Sequence, residues 1–263
     1  MKKTLIALAV AASAVVSGSA MATGWEHNGT GGSVDMGGTL TPADVVTPWE
    51  VKTGDAVSNL NGHIKKGQKT ANITVNNVIP VLGIRTQTNQ PFQGAEGISP
   101  QINFNGAIDP SHFEAGKAVL TLDVQDNDSN KIGSLETKVT AGGLLSWSNN
   151  ADKAEYFSLA SINQPGEVFN GGLATNYDGA LDAEQVKSLS PVIFPGSMDN
   201  FTEQGGKHIG KYFSKVNDVN VTYSAFYASG IEQGSKINIT LEQPAGADEI
   251  AWKASLPVTV SYQ

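Results

Sequence analysis

The sequence WKASLPVTVSY, residues 252–262, is apolar or aromatic at every even position and polar or proline at every odd position. A period of two is typical of a β-strand with one face on a core and the other in solvent. Shorter runs with the same alternation occur earlier in the chain, at residues 71–75, 102–104, 118–124, 219–227 and 237–241. Seven or so such strands joined by polar turns predict an all-β protein, and more narrowly a β-sandwich.

The composition excludes several classes of function. The 263 residues carry 17 Lys and Arg against 25 Asp and Glu, a net charge of −8, and Arg85 is the one arginine. A nucleic-acid partner requires clustered basic side chains, so none is expected. The absence of cysteine excludes thiol catalysis, thiolate metal sites and disulfide bonds.

Motifs for catalysis and metal binding are missing from the sequence. Residues 126–130 (DNDSN) begin like a calcium loop, but Lys131 stands where that loop needs glycine and Thr137 where it needs glutamate. A hairpin turn is therefore the better interpretation of this stretch. The four histidines are far apart and show no ligand spacing. We predict a protein that is not an enzyme, with no catalytic residues, no metal site and no cofactor.

The N-terminus has the three parts of a secretory signal peptide. Lys2 and Lys3 precede an apolar run over residues 5–16, and a series of small residues ends at Ala22. This run is shorter than the roughly 20 apolar residues that span a bilayer. We predict that residues 1–22 are removed and that the remaining chain is exported.

The strand alternation is interrupted between Leu144 and Tyr212. Two short helices are predicted in this interval, over residues 152–160 and 181–189, with Asp182 placed to cap the second. The interval is rich in aromatic residues, which argues against disorder. We interpret residues 144–212 as an ordered insertion that carries the variable part of the function.

Residues 23–41 form a separate segment before the first strand of the body. The even positions Val34, Met36, Gly38 and Leu40 make an apolar face with a notch at the glycine, and the odd positions are polar or glycine. This segment could be the first strand of the sandwich. Alternatively, it could be a detachable strand that completes the sheet of another subunit by β-strand addition.

The last strand is expected to have one unpaired side, because Pro257 lacks the N–H group that a ladder requires. Its inward residues include Val258, Val260 and Tyr262, which would form an edge that accepts another strand. A donor strand and an open edge on one chain make a head-to-tail contact, and such contacts build open filaments.

Several short motifs, in their order along the chain, resemble the FaeG-like branch of the major subunits of chaperone–usher fimbriae. The similarity covers most of the chain and extends to the absence of cysteine. The motifs are Gly32–Gly38, Trp49–Lys52, Phe169–Leu173, Tyr227–Ile231 and the penultimate Tyr262.

This resemblance implies an incomplete immunoglobulin-like sandwich, residues 42–263, that is completed by donor-strand exchange. It implies that a periplasmic chaperone first occupies the gap at the last strand and that the N-terminal extension of the next subunit then replaces it. An outer-membrane usher is a further implied partner, and the implied location is a surface fimbrium reached through the periplasm. The resemblance also implies that the insertion at 144–212 recognises host glycoproteins or glycolipids.

Two aromatic residues are candidates for glycan binding. Sugars bind to exposed aromatic rings beside polar groups, and Trp147 and Tyr177 both have such neighbours in the sequence. The alternative is that these rings pack the insertion onto the sandwich. The predicted function is a major fimbrial subunit that polymerises with itself and adheres to intestinal glycoconjugates. A secreted glycan-binding module that never polymerises and, more remotely, a β-sandwich glycosidase remain as alternatives.

Overall fold

A computed structural model describes residues 27–28, 36–39, 46–149 and 153–263. The chain divides into an N-terminal unit, residues 1–43, and a second unit, residues 44–263. The described part of the second unit forms twelve strands, one helix (α1, Ala183–Ile193) and a 3-10 turn at Pro110–His112. The strands are β1 (Trp49–Thr53), β2 (Thr70–Thr74), β3 (Ile79–Thr86), β4 (Phe92–Gln93), β5 (Pro100–Asn103), β6 (Lys117–Gln125), β7 (Lys131–Ser148), β8 (Ala154–Leu159), β9 (Lys207–Tyr212), β10 (Thr222–Ile231), β11 (Lys236–Leu241) and β12 (Thr259–Tyr262).

The protein is all-β with an immunoglobulin-like arrangement of open sheets. Its central strand order is β1-β3-β10-β7-β11-β2, and β12 pairs with β5 in a separate two-stranded sheet. The first half of β7 lies between β6 and β11, and its second half lies between β8 and β10. The 18 residues of β7 are therefore shared by both groups of strands.

The strand β10 is buried at every position from Tyr223 to Ile231. The alternation in its sequence predicts that only one face of this strand is buried, and this prediction is wrong because both faces are buried. The cause is α1, which packs Val186 against Phe226 of this outer face, while Phe194 packs against Ala228. A strand covered on both faces no longer shows a half-exposed pattern.

The insertion begins later than predicted, and its described residues contain one helix rather than two. Residues 144–148 are the end of β7, and the helix predicted over 152–160 is wrong, because residues 154–159 form β8. Tyr156 and Phe157 of β8 are buried, and the strand pairs with the end of β7. Aromatic residues suit a packed strand, so pairing with β7 outweighs the local helical pattern.

The second predicted helix is confirmed as α1, although it extends to Ile193 and includes Pro191. Asp182 is its N-cap residue, as predicted, and the side chain of Gln185 accepts a hydrogen bond from the N–H of Asp182 at 2.9 Å. This contact satisfies one of the backbone donors that every helix start leaves without an intrahelical partner.

Most of the N-terminal predictions concern residues outside the described ranges, namely the signal peptide at 1–22 together with Val34 and Leu40. Residues 36–39 are described and belong to no strand. Within the described part of the chain, no helix has the length and apolar character needed to cross a membrane.

Candidate assembly edge and aromatic surface

The last eleven residues before Gln263 present an incompletely covered apolar row. Every odd position from Lys253 to Ser261 is exposed, and every even position is half-buried against the main core. The equivalent inward residues of β11, Ile237 and Ile239, are only 1% and 4% exposed. The terminal row is Trp252, Ala254, Leu256, Val258, Val260 and Tyr262. The side chains of this row are covered by the core on one side and remain partly exposed on the other, as expected beside a position that a further strand could occupy.

The backbone of β12 also has a free edge. Ser99 and Gln263 donate to each other's carbonyl oxygens at 3.0 and 3.1 Å, which makes them a hydrogen-bonded antiparallel pair. Because such pairs alternate along a ladder, the N–H and C=O groups of Val258, Val260 and Tyr262 point away from β5. Among the described residues, β12 pairs with β5 alone.

Pro257 has a different role from the one predicted. By the same alternation, its missing N–H falls on the side that faces β5, not on the open side. The pairing of β12 with β5 begins only two residues later, at Thr259. The strand is therefore shorter than the predicted 252–262, while an isolated bridge between Gln125 and Lys253 holds the start of the terminal segment.

Of the predicted donor segment, residues 23–41, the structure describes residues 27–28 and 36–39. Met36, on the predicted apolar face, is 93% exposed. A large apolar side chain in this position is available to a partner and gains from burial. Gly38, the predicted notch, also lies in this stretch.

Trp147 lies at the end of β7, not in the insertion, and lines a surface depression of about 360 Å³. The Lys153 ammonium lies 5.1 Å from the centroid of the indole ring and 3.3 Å from the Glu155 carboxylate. The depression therefore combines aromatic walls with the Glu155 carboxylate, and Lys153 lies beside it over the Trp147 ring. Its other lining residues are Phe157, Ile209, Tyr212, Phe213, Ser214, Val221 and Tyr223.

Tyr177 is 43% exposed and stacks on Phe213, with ring centroids 4.5 Å apart and an interplanar angle of 20°. It also forms an edge-to-face contact with Tyr212, with ring centroids 6.4 Å apart. Since Phe213 and Tyr212 line the depression beside Trp147, the structure connects both predicted glycan-binding residues through one aromatic wall. Sequence reasoning missed Tyr212 and Phe213, although two adjacent aromatic residues at the end of the insertion were a usable signal.

The residues considered for metal binding have ordinary structural roles. The Asp126 carboxylate accepts hydrogen bonds from the backbone and side-chain nitrogens of Asn130 at 2.9 and 3.0 Å, within the β6–β7 turn. These contacts lower the pKa of Asp126, the side-chain bond contributing most. Across the described ranges, no group of three or more His, Cys, Asp or Glu side chains is placed to hold a metal ion.

Known proteins and one family model are similar to this chain over its full length. A family model described as fimbrial major and minor subunits matches residues 1–263. The chain is 30% identical over 290 residues to K88 fimbrial protein AB of Escherichia coli and 31% identical over 291 residues to K88 fimbrial protein AD. It is 27% identical over 284 residues to the F41 fimbrial protein of the same organism. Each of these alignments covers 100% of both chains.

Proposed function

We propose that this chain, which belongs to the family of fimbrial major and minor subunits, polymerises head to tail by donor-strand complementation. Members of the family are structural proteins, so the chain is a fimbrial structural subunit and not an enzyme, which excludes the glycosidase alternative. A surface fimbrium is accordingly its place of action.

The observation that carries the proposal is the half-buried terminal row beside the free edge of β12. A strand added at this edge would bond to the outward N–H and C=O groups of Val258, Val260 and Tyr262 and cover their side chains. An unpaired strand edge with apolar side chains is prone to aggregation, so it requires a partner from the moment of folding. A periplasmic chaperone would supply that partner before assembly, and an outer-membrane usher would pass the subunit to the fibre.

The strand that fills this edge in the fibre is the segment 23–41 of the neighbouring subunit. The apolar face at Val34, Met36 and Leu40 would cover the terminal row. Gly38 would lie where this row leaves no space for a side chain. Burying these three side chains contributes about 5–9 kcal/mol, at about 1.5–3 kcal/mol each. That is comparable with the entire stability of a typical domain, about 5–15 kcal/mol.

Deleting residues 23–41 from the exported chain tests this proposal. The shortened subunit should reach the periplasm yet form no fibres, and it should bind a synthetic peptide of residues 31–42 in a 1:1 complex. Normal fibres from the deletion variant would support the alternative in which the segment is an ordinary first strand. An exported protein that forms no fibres even with the segment intact would support the non-polymerising glycan-binding module.

Adhesion to host glycoconjugates is a second proposed function, favoured by the aromatic surface around Tyr177 and Trp147. Tyr177 and Phe213 form a stacked pair that remains accessible, and the neighbouring depression supplies the Glu155 carboxylate, which pairs with the Lys153 ammonium. Flat rings beside polar groups suit the apolar face and hydroxyl rim of a sugar. Binding of intact fibres to a glycan array tests this function separately from assembly, and fibres that bind no glycan would assign the subunit to the shaft alone.

A further inference from the structure

Part of the insertion pairs with β5 on the edge opposite β12. The N–H of Phe169 donates to the carbonyl oxygen of Pro100 at 2.8 Å, and the N–H of Ile102 donates to the carbonyl oxygen of Asn170 at 2.7 Å. Gln101 and Asn170 form a parallel bridge at the same place. We name residues 167–172 the bridging segment. β5 therefore lies between the terminal strand and the bridging segment.

Buried side chains reinforce this contact. The Gln101 amide nitrogen donates to the carbonyl oxygen of Glu167 at 2.8 Å, and its amide oxygen accepts from the Asn170 side chain at 3.0 Å. The Asn170 amide oxygen in turn accepts from the Ser161 hydroxyl at 3.0 Å. Gln101 is only 8% exposed, so displacing the bridging segment would leave this buried amide with its bond to the Ser99 carbonyl oxygen but without its bonds to Glu167 and Asn170.

The two glycines of the bridging segment allow the close approach to β5. A Cβ atom on Gly171 would overlap the carbonyl oxygen of Ile102, and Gly171 has a φ of +83°, which disfavours other residues. The carbonyl oxygen of Gly172 accepts a hydrogen bond of 3.1 Å from the hydroxyl of the fully buried Tyr227. The sequence motif Phe169–Leu173 is thus explained by its contacts with β5 and Tyr227.

The arrangement matters because β12 depends on β5. A two-stranded ribbon alone is marginally stable, whereas a third strand supports it. We propose that Asn170 and Gly171 are positioning residues for strand acquisition. They fix the edge of β5 that lies opposite β12, and this keeps the free edge of β12 in the position that the incoming strand requires. This inference rests on the proposed donor-strand function, and it gives the insertion a part in assembly that is separate from adhesion.

The test compares Asn170→Ala with Asn176→Ala in the full mature chain, residues 23–263. Asn176 lies in the same insertion, and its side chain accepts a bond of 2.7 Å from the N–H of Gly179, so the control also loses one side-chain contact. Binding of a fluorescent peptide of residues 31–42 gives the Kd. Hydrogen exchange of the Thr259, Ser261 and Gln263 amides reports the pairing of β12 with β5, and urea denaturation reports overall stability.

Asn170→Ala should weaken peptide binding about tenfold, the equivalent of about 1.4 kcal/mol, and should speed exchange at the three amides. Asn176→Ala should change neither quantity, and it should lower the urea midpoint less than Asn170→Ala does, because Asn176 is exposed. If Asn170→Ala does not fold, Tyr227→Phe removes the hydroxyl that bonds to Gly172 and should weaken binding in the same direction.

Two results would overturn the inference in different ways. Equal Kd values and equal amide protection in the Asn170 and Asn176 variants, with a wild-type chain that binds the peptide, would overturn the inference alone. A wild-type chain that does not bind the peptide would overturn the donor-strand proposal, and with it this inference.

Discussion

Gln125 and Lys253 exchange two backbone hydrogen bonds of 2.9 Å each, which attach the start of the terminal segment to the end of β6. The pair formed by Ser99 and Gln263 attaches its other end. The apolar row between these two attachments is therefore held in place although it is only half covered. A preformed row of this kind lowers the entropic cost of accepting a strand.

A charge in the terminal row should prevent strand acquisition. Val260→Asp places a carboxylate where the incoming strand would bury it, at a cost of several kcal/mol. The periplasmic amount of subunit and the number of fibres should both fall sharply. Thr259→Asp is the matched control, because Thr259 is adjacent and exposed, and it should leave both quantities close to wild type. Wild-type amounts of the Val260 variant would contradict the assignment of this edge.

A large side chain in the notch of the donor face should block assembly. Gly38→Leu is expected to abolish fibres while export continues, because in the proposed register it fills the notch of the donor face with a large side chain that would face the acceptor row. Gly37→Leu alters the opposite face of the same segment and should still permit fibres. Electron microscopy of surface fibres from both variants provides the measurement, and normal fibres from the Gly38 variant would mean that the proposed register is wrong.

Loss of the exposed ring at Tyr177 should reduce adhesion without reducing assembly. The side chain is 43% exposed, so Tyr177→Ala should cost far less than the about 3–5 kcal/mol of a core aromatic deletion. Fibres of normal number and thermal stability should attach less to intestinal epithelial cells. Trp147→Ala should have the same effect on adhesion with a larger loss of subunit, because Trp147 is half-buried. Normal adhesion by both variants would remove this surface as the receptor site.

The ion pair formed by Glu232 and Lys117 should make the free energy of unfolding depend on pH in the acidic range. Burial alone would raise the pKa of Glu232, but the Thr140 hydroxyl and the Lys117 ammonium, 3.0 Å away, lower it. A lowered pKa in the folded state stabilises the protein above the unfolded value of about 4.3, and this contribution is lost as pH falls through the folded value. Glu232→Gln should therefore be less stable than wild type at pH 7, by about 1 kcal/mol, and the two should converge near pH 3.

Urea midpoints between pH 7 and pH 3 provide the comparison. The exposed Glu114 offers a matched control, and Glu114→Gln should follow the wild-type curve. A constant difference between wild type and Glu232→Gln at all pH values would contradict the assigned role of the ion pair.

The part of the fold that local alternation encodes was predictable, and the part that distant contacts decide was not. The terminal row could be predicted because each of its residues alternates with its immediate neighbours. The strand β8 was not predicted because its conformation depends on pairing with β7. The nine residues 152–160, taken alone, do not indicate that pairing. The contact between Gln101 and Asn170 joins residues 69 positions apart, so the motif at Phe169–Leu173 was recognisable while its position beside β5 was not.

The candidate surfaces divide in the same way. Tyr177 and Trp147 could be selected because exposed aromatic residues beside polar ones have a chemical meaning in the sequence. Their connection through Phe213 arises only when β9 lies beside β8 in parallel, and this pairing joins strands about 50 residues apart.

The most direct test of the central claim is the stability of a self-complemented subunit. Residues 23–41 would be deleted, and residues 31–42 would be attached after Gln263 through a short linker, so that the donor strand can pair with β12 of its own chain. The account predicts a monomer that forms no fibres and is about 5–9 kcal/mol more stable to urea than a matched fusion in which Val34, Met36 and Leu40 are replaced by serine. Equal stability of the two fusions, or fibres formed by the self-complemented chain, would contradict it.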